Sequence, residues 1–152
     1  MQNKYILTWD AIEDQVASLA KQIEKSKFIP EYIVAITRGG YIPARLLCRH
    51  IEIKEILPFT VSKYDSYNYH NVVVQRKFPY IFIRGKNVLV VDDIVESSET
   101  LETVMATVLS LHPLNIKVAT LLAKRGCTLK PDYCGCRNIS KRVWAVFPWE
   151  KQ

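Results

Sequence analysis

Apolar positions along the chain follow two alternating rhythms. Ile12, Val16, Leu19, Ala20 and Ile23 recur at helical spacing, with acids early in the segment and lysines late. Thr8 is placed to cap this first helix, which is predicted to run through about Lys25, and Pro30 closes it. YIVAITRGG then reads as a short buried strand over residues 32–36 that enters a turn, followed by a helix, PARLLCRHI. A second strand is expected over residues 57–64. Residues 65–79 are polar and aromatic with weak periodicity, which reads as a loop with room for a hairpin. Residues 80–83 form a short strand candidate that turns at Gly85. Val88, Leu89, Val90 and Val91 are aliphatic without alternation, the pattern of a parallel strand covered on both faces, here over residues 87–91. A helix from about Glu99 to Leu111 is stopped by Pro113, and residues 116–123 give another aliphatic strand ending at Lys124. From Pro131 on there are only short apolar pieces, closing in VWAVFPWEKQ. Strands alternating with helices predict an α/β fold with a parallel core sheet. No repeat or linker divides it, so residues 1–152 are read as a single domain.

Composition narrows the class without naming a function. The hydrophobic content of 49% and charged content of 24% are those of a globular domain. No apolar run approaches the roughly 20 residues that span a bilayer, and the N-terminal stretch lacks the apolar core of a signal peptide. A cytoplasmic protein without a membrane partner is expected. Cys48, Cys127, Cys134 and Cys136 are then expected as free thiols, since their spacing fits no common zinc pattern. The net charge of +6 is spread along the chain with no basic arm or stripe. It suits a small polyanion at least as well as a nucleic acid, which is not the expected partner.

Two strand ends carry the chemistry. The first runs into Thr37-Arg38-Gly39-Gly40 and opens a helix; paired glycines let backbone approach a ligand closely, and Arg38 offers a fork of donors to phosphate oxygens. The second is VLVVDDIVESSET. Asp92 and Asp93 cannot lie unpaired inside a covered sheet, so they are expected to mark the carboxyl end of their strand, where open α/β sheets bind ligands. Ser97, Ser98 and Thr100 follow at a helix N-terminus, whose free N–H groups favour anions. Helix capping alone would account for either acids or serines. Together they point to a ligand bearing both hydroxyls and phosphates.

These motifs, with YILTWD, AITRGGYIPARLL, VSKYDSYN, LLAK and WAVFPWE in this order, make the chain resemble the type I phosphoribosyltransferases of the purine salvage branch, the xanthine-guanine and hypoxanthine-guanine kind. The resemblance implies a central parallel sheet flanked by helices, with a small hood from the chain ends. It also implies transfer of the 5-phosphoribosyl group from phosphoribosyl pyrophosphate (PRPP) to a 6-oxopurine, with magnesium (Mg2+). The products would be a nucleoside monophosphate and pyrophosphate. By the same resemblance Asp92 and Asp93 hold the ribose hydroxyls, directly or through metal-bound water. Residues 97–100 cradle the 5-phosphate, and Thr37, Arg38, Gly39 and Gly40 hold pyrophosphate. Tyr64 and Asp65 open a loop that closes over the reaction centre. Lys124 contacts the purine 6-oxo group, Trp144 stacks on the base, Ala145 offers its carbonyl, and Glu150 lies near base or metal. Trp149 is read as core. A homo-oligomer, dimer or tetramer, is implied as well.

The phosphate turn departs from the family's Asp-Thr-Gly-x-Thr. Glu96 stands for the aspartate associated with base proton transfer, one methylene longer. Ser98 stands for glycine, which costs on the order of 1–2 kcal/mol if the position needs positive φ. Glu99 adds a charge beside an anion site; at about 6 Å and an effective dielectric of about 20 the repulsion is roughly 3 kcal/mol before screening. These changes keep open a second reading, a non-catalytic or regulatory relative that binds a nucleotide or nucleic acid. A phospho-accepting receiver domain fails, because its acidic pair should follow the first strand.

Overall fold

The computed structural model describes residues 3–66, 69–74 and 82–150, with backbone alone over 62–66 and 69–74. Among the described residues eight strands and three helices follow in the order β1 (Asn3–Ile6), α1 (Trp9–Ser26), β2 (Tyr32–Thr37), α2 (Tyr41–Leu47), β3 (Glu55–Ser66), β4 (Tyr69–Val74), β5 (Asn87–Val95), α3 (Glu99–Ser110), β6 (Asn115–Lys124), β7 (Tyr133–Ile139) and β8 (Val143–Val146). Six strands form one sheet in the order β4, β3, β2, β5, β6, β7. All its pairs are parallel except β3 with β4.

The uninterrupted aliphatic strands divide their side chains between two cores, as a sheet covered on both faces must. Ile33, Ala35, Leu89, Val91, Ala119 and Leu121 face one way and pack under α1 and α2. Val34, Ile36, Val88, Val90 and Val118 face the other way, under Leu101, Val104 and Val108 of α3. Helix α1 buries the five residues its periodicity predicts, and Thr8 Oγ1 caps it by accepting from the Ala11 amide at 3.2 Å.

The chain ends meet in a separate two-stranded parallel sheet, β1 with β8, continued by the Leu7 amide donating to the Val146 carbonyl at 2.9 Å. This is the small hood that the family resemblance implies. The hairpin for which the 65–79 stretch has room is present: β4 pairs antiparallel to β3 from Val61↔Val74 to Ser66↔Tyr69. The strand candidate over 80–83 is not borne out in its described part: Phe82 and Ile83 lie in a turn, and residues 80 and 81 fall outside the described residues. No described helix is long and apolar enough to cross a membrane.

Candidate active site

β2 is the first strand of the large sheet in chain order, with β3 on one side and β5 on the other. A crevice must open at the carboxyl ends where the direction of winding reverses. β2 and β5 stay in register only from Tyr32↔Val88 to Ala35↔Val91. Beyond that the β2–β5 ladder stops and β2 ends at Thr37, while β5 remains laddered to β6 through Asp92↔Thr120, Ile94↔Leu122 and Val95↔Ala123. Asp92 and Asp93 are therefore inside β5 and not past its end, a correction to the sequence reading. They are tolerated because one edge of the strand keeps its hydrogen bonds to β6 while β2 no longer pairs with the other.

The turn after β2 lies directly on this stretch. A Cβ at Gly39 would come within 2.0 Å of Asp93 Oδ2, and one at Gly40 within 2.5 Å of the Val91 carbonyl oxygen. Neither glycine is in the left-handed region; both are required for space. The Thr37–Arg38 peptide is cis. The Thr37 hydroxyl is engaged with that of Thr60 at 2.9 Å, and Arg38 is exposed.

Burial pushes the Asp92 carboxyl well above the usual carboxylate range, and the neighbouring charge of Asp93 adds to it. Asp93 is raised by burial as well, with the charge of Glu150 acting in the same direction. Hydrogen bonds from the Asp93 amide to Asp92 Oδ1 (2.9 Å) and from the Ile94 amide to Asp93 Oδ1 (2.8 Å) oppose these effects without overcoming them.

Asp93 shares the lining of a cavity of about 780 Å³ with Arg38, Gly39, Ile42, Trp149 and Glu150. Trp149 is stacked on Phe147 at 4.8 Å and lies 5.8 Å from Trp9, so it packs as expected while also facing the cavity. Ile42 and Trp149 are lining residues that the sequence reading missed; an aliphatic and a packed aromatic carry no chemical signal. Glu150 Oε2 accepts from the Phe147 amide at 3.0 Å, which fixes its carboxylate at the end of the hood. Among the described residues no group of three or more His, Cys, Asp or Glu side chains could hold a metal ion. Asp92, Asp93 and Glu150 thus do not form a closed metal cage.

A smaller cavity of about 160 Å³ is lined by Asp92, Ile94, Val95, Glu96, Ser97, Ser98, Thr100 and Leu101, at the N-terminus of α3. Glu99, the first residue of α3, is not among its lining residues. Ser98 has a left-handed backbone (φ 64°, ψ −17°) and is buried. Lys124 ends β6 and pairs with Glu96 at 2.5 Å; the lysine side chain is 9% exposed and the glutamate 49%. On the hood, Trp144 is half exposed while Ala145 beside it is buried. Tyr64 and Asp65 belong to β3, opposite Asn71 and His70 of β4. Their side chains lie outside the described residues.

A family model described as the phosphoribosyl transferase domain matches residues 2–151. Among solved structures, the chain is similar to a purine phosphoribosyltransferase from Pyrococcus horikoshii at 30% identity, covering 98% of this chain and 95% of that one with a TM-score of 0.86. A Neisseria gonorrhoeae protein solved with bound ppGpp matches at 29% identity over 99% and 91% of the two chains, with a TM-score of 0.81. A hypoxanthine-guanine phosphoribosyltransferase from Bacillus anthracis matches at 29% identity over 92% and 84%, with a TM-score of 0.73.

The raised Asp92 carboxyl gives a stability test. Between the ordinary carboxylate range and its raised value, the folded state holds a proton that the unfolded state has lost, so stability falls as pH rises through that window. Asp92→Asn retains the acceptor for the Asp93 amide and removes the charge. It is expected to raise Tm at pH 8 in metal-free buffer, with the gain shrinking towards pH 4. An equal Tm difference at both pH values, read by thermal unfolding, would refute the assignment.

Proposed function

The chain belongs to the phosphoribosyl transferase domain family, and we propose that it is a purine phosphoribosyltransferase acting in nucleotide salvage. Its reaction joins a ring nitrogen of a 6-oxopurine (guanine, hypoxanthine or xanthine) to C1 of the ribose of PRPP. The nitrogen lone pair forms the new bond as the C1–O bond to pyrophosphate breaks, and the bonding electrons leave with pyrophosphate. The observation that carries this reading is the contact at the switch point, where the partly buried Asp93 carboxylate and the Asp92 backbone abut a glycine turn beside Arg38.

Each neighbouring group supports one part of the substrate. Asp92 and Asp93 are acceptors suited to the two ribose hydroxyls. The exposed Arg38 guanidinium and the backbone of Gly39 and Gly40 suit pyrophosphate oxygens. Ser97, Thr100 and the first amides of α3 suit the 5-phosphate, with the backbone of Ser98 and Glu99 among those amides. Lys124 suits the purine 6-oxo group as a donor, the half-exposed Trp144 suits stacking on the ring, and the Ala145 carbonyl suits its edge. Glu96, the partner of Lys124, takes the proton that the base loses.

Asp93 and Glu150, lining one cavity with Arg38, fit magnesium, which asks for one or two carboxylates plus substrate phosphates and not an all-protein cage. When bound it supplies charge neutralisation on the departing pyrophosphate. The chain's own contribution is positioning and electrostatic stabilisation of the charge that develops on the ribose ring. A cytoplasmic homo-oligomer, dimer or tetramer, belongs to the same reading; sedimentation at working concentration tests the assembly.

The ppGpp bound to the Neisseria relative favours a second reading, in which the same site is regulated by, or serves only to bind, a guanine nucleotide. The altered Glu96–Glu99 turn is the feature of this chain that agrees with it. Inhibition of turnover by ppGpp supports regulation, while tight ppGpp binding without any turnover supports the binder.

A spectrophotometric assay with PRPP, magnesium and each purine in turn tests the activity. Wild-type protein is expected to turn over at least one base, and the Asp92→Asn, Asp93→Asn double variant none, with cooperative unfolding retained. Full turnover by a folded double variant rules out the carboxylates. For Trp144→Ala, loss of base stacking worth roughly 1–3 kcal/mol is expected to raise the base KM about 5- to 150-fold and leave the PRPP KM within about twofold. Equal effects on both substrates would make Trp144 a packing residue.

A further inference from the structure

Ser98 occupies the position where the family turn has glycine, and its backbone adopts the left-handed conformation that glycine accepts most readily. It lines the small cavity, yet its hydroxyl is engaged by the chain itself. The hydroxyl is buried and meets the β6–β7 connection, accepting from the Leu129 amide at 3.0 Å and facing the Leu129 carbonyl oxygen at 3.4 Å. Two further side chains close the same seam. Cys127 Sγ lies 3.3 Å from the Val95 carbonyl oxygen and 3.2 Å from that of Glu96. The Thr128 hydroxyl donates to Glu102 Oε1 at 3.0 Å. Three consecutive residues of the connection, Cys127, Thr128 and Leu129, thus hold both flanks and the centre of the 96–100 turn. Lys124, three residues upstream, is tied back to the turn by Glu96.

We propose that Ser98 is a positioning residue: its buried hydroxyl latches the 96–100 turn onto the β6–β7 connection through the Leu129 amide. The latch sets the anion cradle at a fixed separation from Lys124. The inference rests on the reading of that turn as the 5-phosphate cradle and of Lys124 as the base contact. It differs from what the sequence suggests, where Ser98 is a strained substitute that glycine would improve. A glycine here relaxes the backbone but discards the latch and leaves the Leu129 amide without its partner. In a site whose work is positioning, the second consequence governs ligand affinity.

Ser98→Ala keeps the backbone demand and removes the hydroxyl; Ser98→Gly removes both. Amide hydrogen exchange at Leu129, followed by NMR, reads the latch directly, and both variants are expected to exchange at least tenfold faster there than wild type. In steady-state kinetics both are expected to raise the PRPP KM at least fivefold and to lower kcat, with the base KM at saturating PRPP within twofold. A merely structural role would lower Tm without this split. Ser98→Gly with a PRPP KM equal to or below wild type overturns the proposal, as does unchanged Leu129 exchange in a folded Ser98→Ala. If wild-type protein does not turn PRPP over, the functional reading fails separately. Leu129 exchange with the affinity for ribose 5-phosphate then decides the latch: a fivefold weaker affinity in both variants upholds it, and unchanged affinity overturns it.

Discussion

The close approach of the Arg38-Gly39-Gly40 turn to β5 is the constraint on which the rest of the site depends. With a Cβ at position 39 placed 2.0 Å from the Asp93 carboxylate, any side chain there would have to push the carboxylate aside. At position 40 the obstacle is the Val91 and Ile36 backbone, which has no comparable freedom to move. The two strand ends can converge only because both residues lack a side chain. Convergence in turn sets Arg38, Asp93 and Glu150 around one cavity, and it leaves the Asp92 and Asp93 stretch of β5 paired on one edge only. Sheet order, glycine and carboxylate thus form a single geometric statement.

That arrangement is costly to the empty protein. Two adjacent carboxylates are partly removed from water, both are raised above their ordinary range, and their mutual repulsion works against the folded state at neutral pH. Such a cost is tolerated where a ligand relieves it, as hydroxyl donors and a divalent cation would in the proposed reaction. Elsewhere in the site the protein balances its own charges: Lys124 has the Glu96 carboxylate as its partner, and substrate must compete with that pair or exploit it. The longer side chain of glutamate lets the acid meet the lysine from its place on the turn.

Much of this was legible in the sequence because local rhythm and the tertiary environment agree. The buried stripe of α1 and its Thr8 cap, the unalternating strands and the break at Pro113 all follow from rules a few residues long. The position of the aspartates was misread for a definable reason. The cost of burying an unpaired carboxylate rules out a fully covered strand, but β5 pairs with β2 only as far as Val91 while its ladder with β6 runs on to Val95. The hood strands β1 and β8, four residues each, are too short to display a period, and only their pairing across the length of the chain defines them. Tyr64 and Asp65 lie in the antiparallel ladder of β3 with β4, a pairing that the weak periodicity of this stretch leaves room for without specifying.

Ser98 shows the limit most clearly. Sequence exposes a serine where glycine is usual, and the left-handed backbone costs an L-residue about 1–2 kcal/mol. What sequence cannot expose is a hydrogen-bond partner 31 residues away. A net hydrogen bond returns about 0.5–1.5 kcal/mol, and leaving a buried amide without a partner costs about 1–3 kcal/mol. Strain and latch therefore cancel to within about 1–2 kcal/mol, and the fold is nearly indifferent to which residue stands there. Affinity is not indifferent. Glycine gives a turn free to find its shape around a phosphate, while the Ser98 latch gives a turn shaped in advance by the β6–β7 connection, lowering the conformational entropy lost when the anion binds. A chain can thus depart from the family pattern at its phosphate turn and keep the function of that turn, provided the lost backbone freedom is replaced by an external brace.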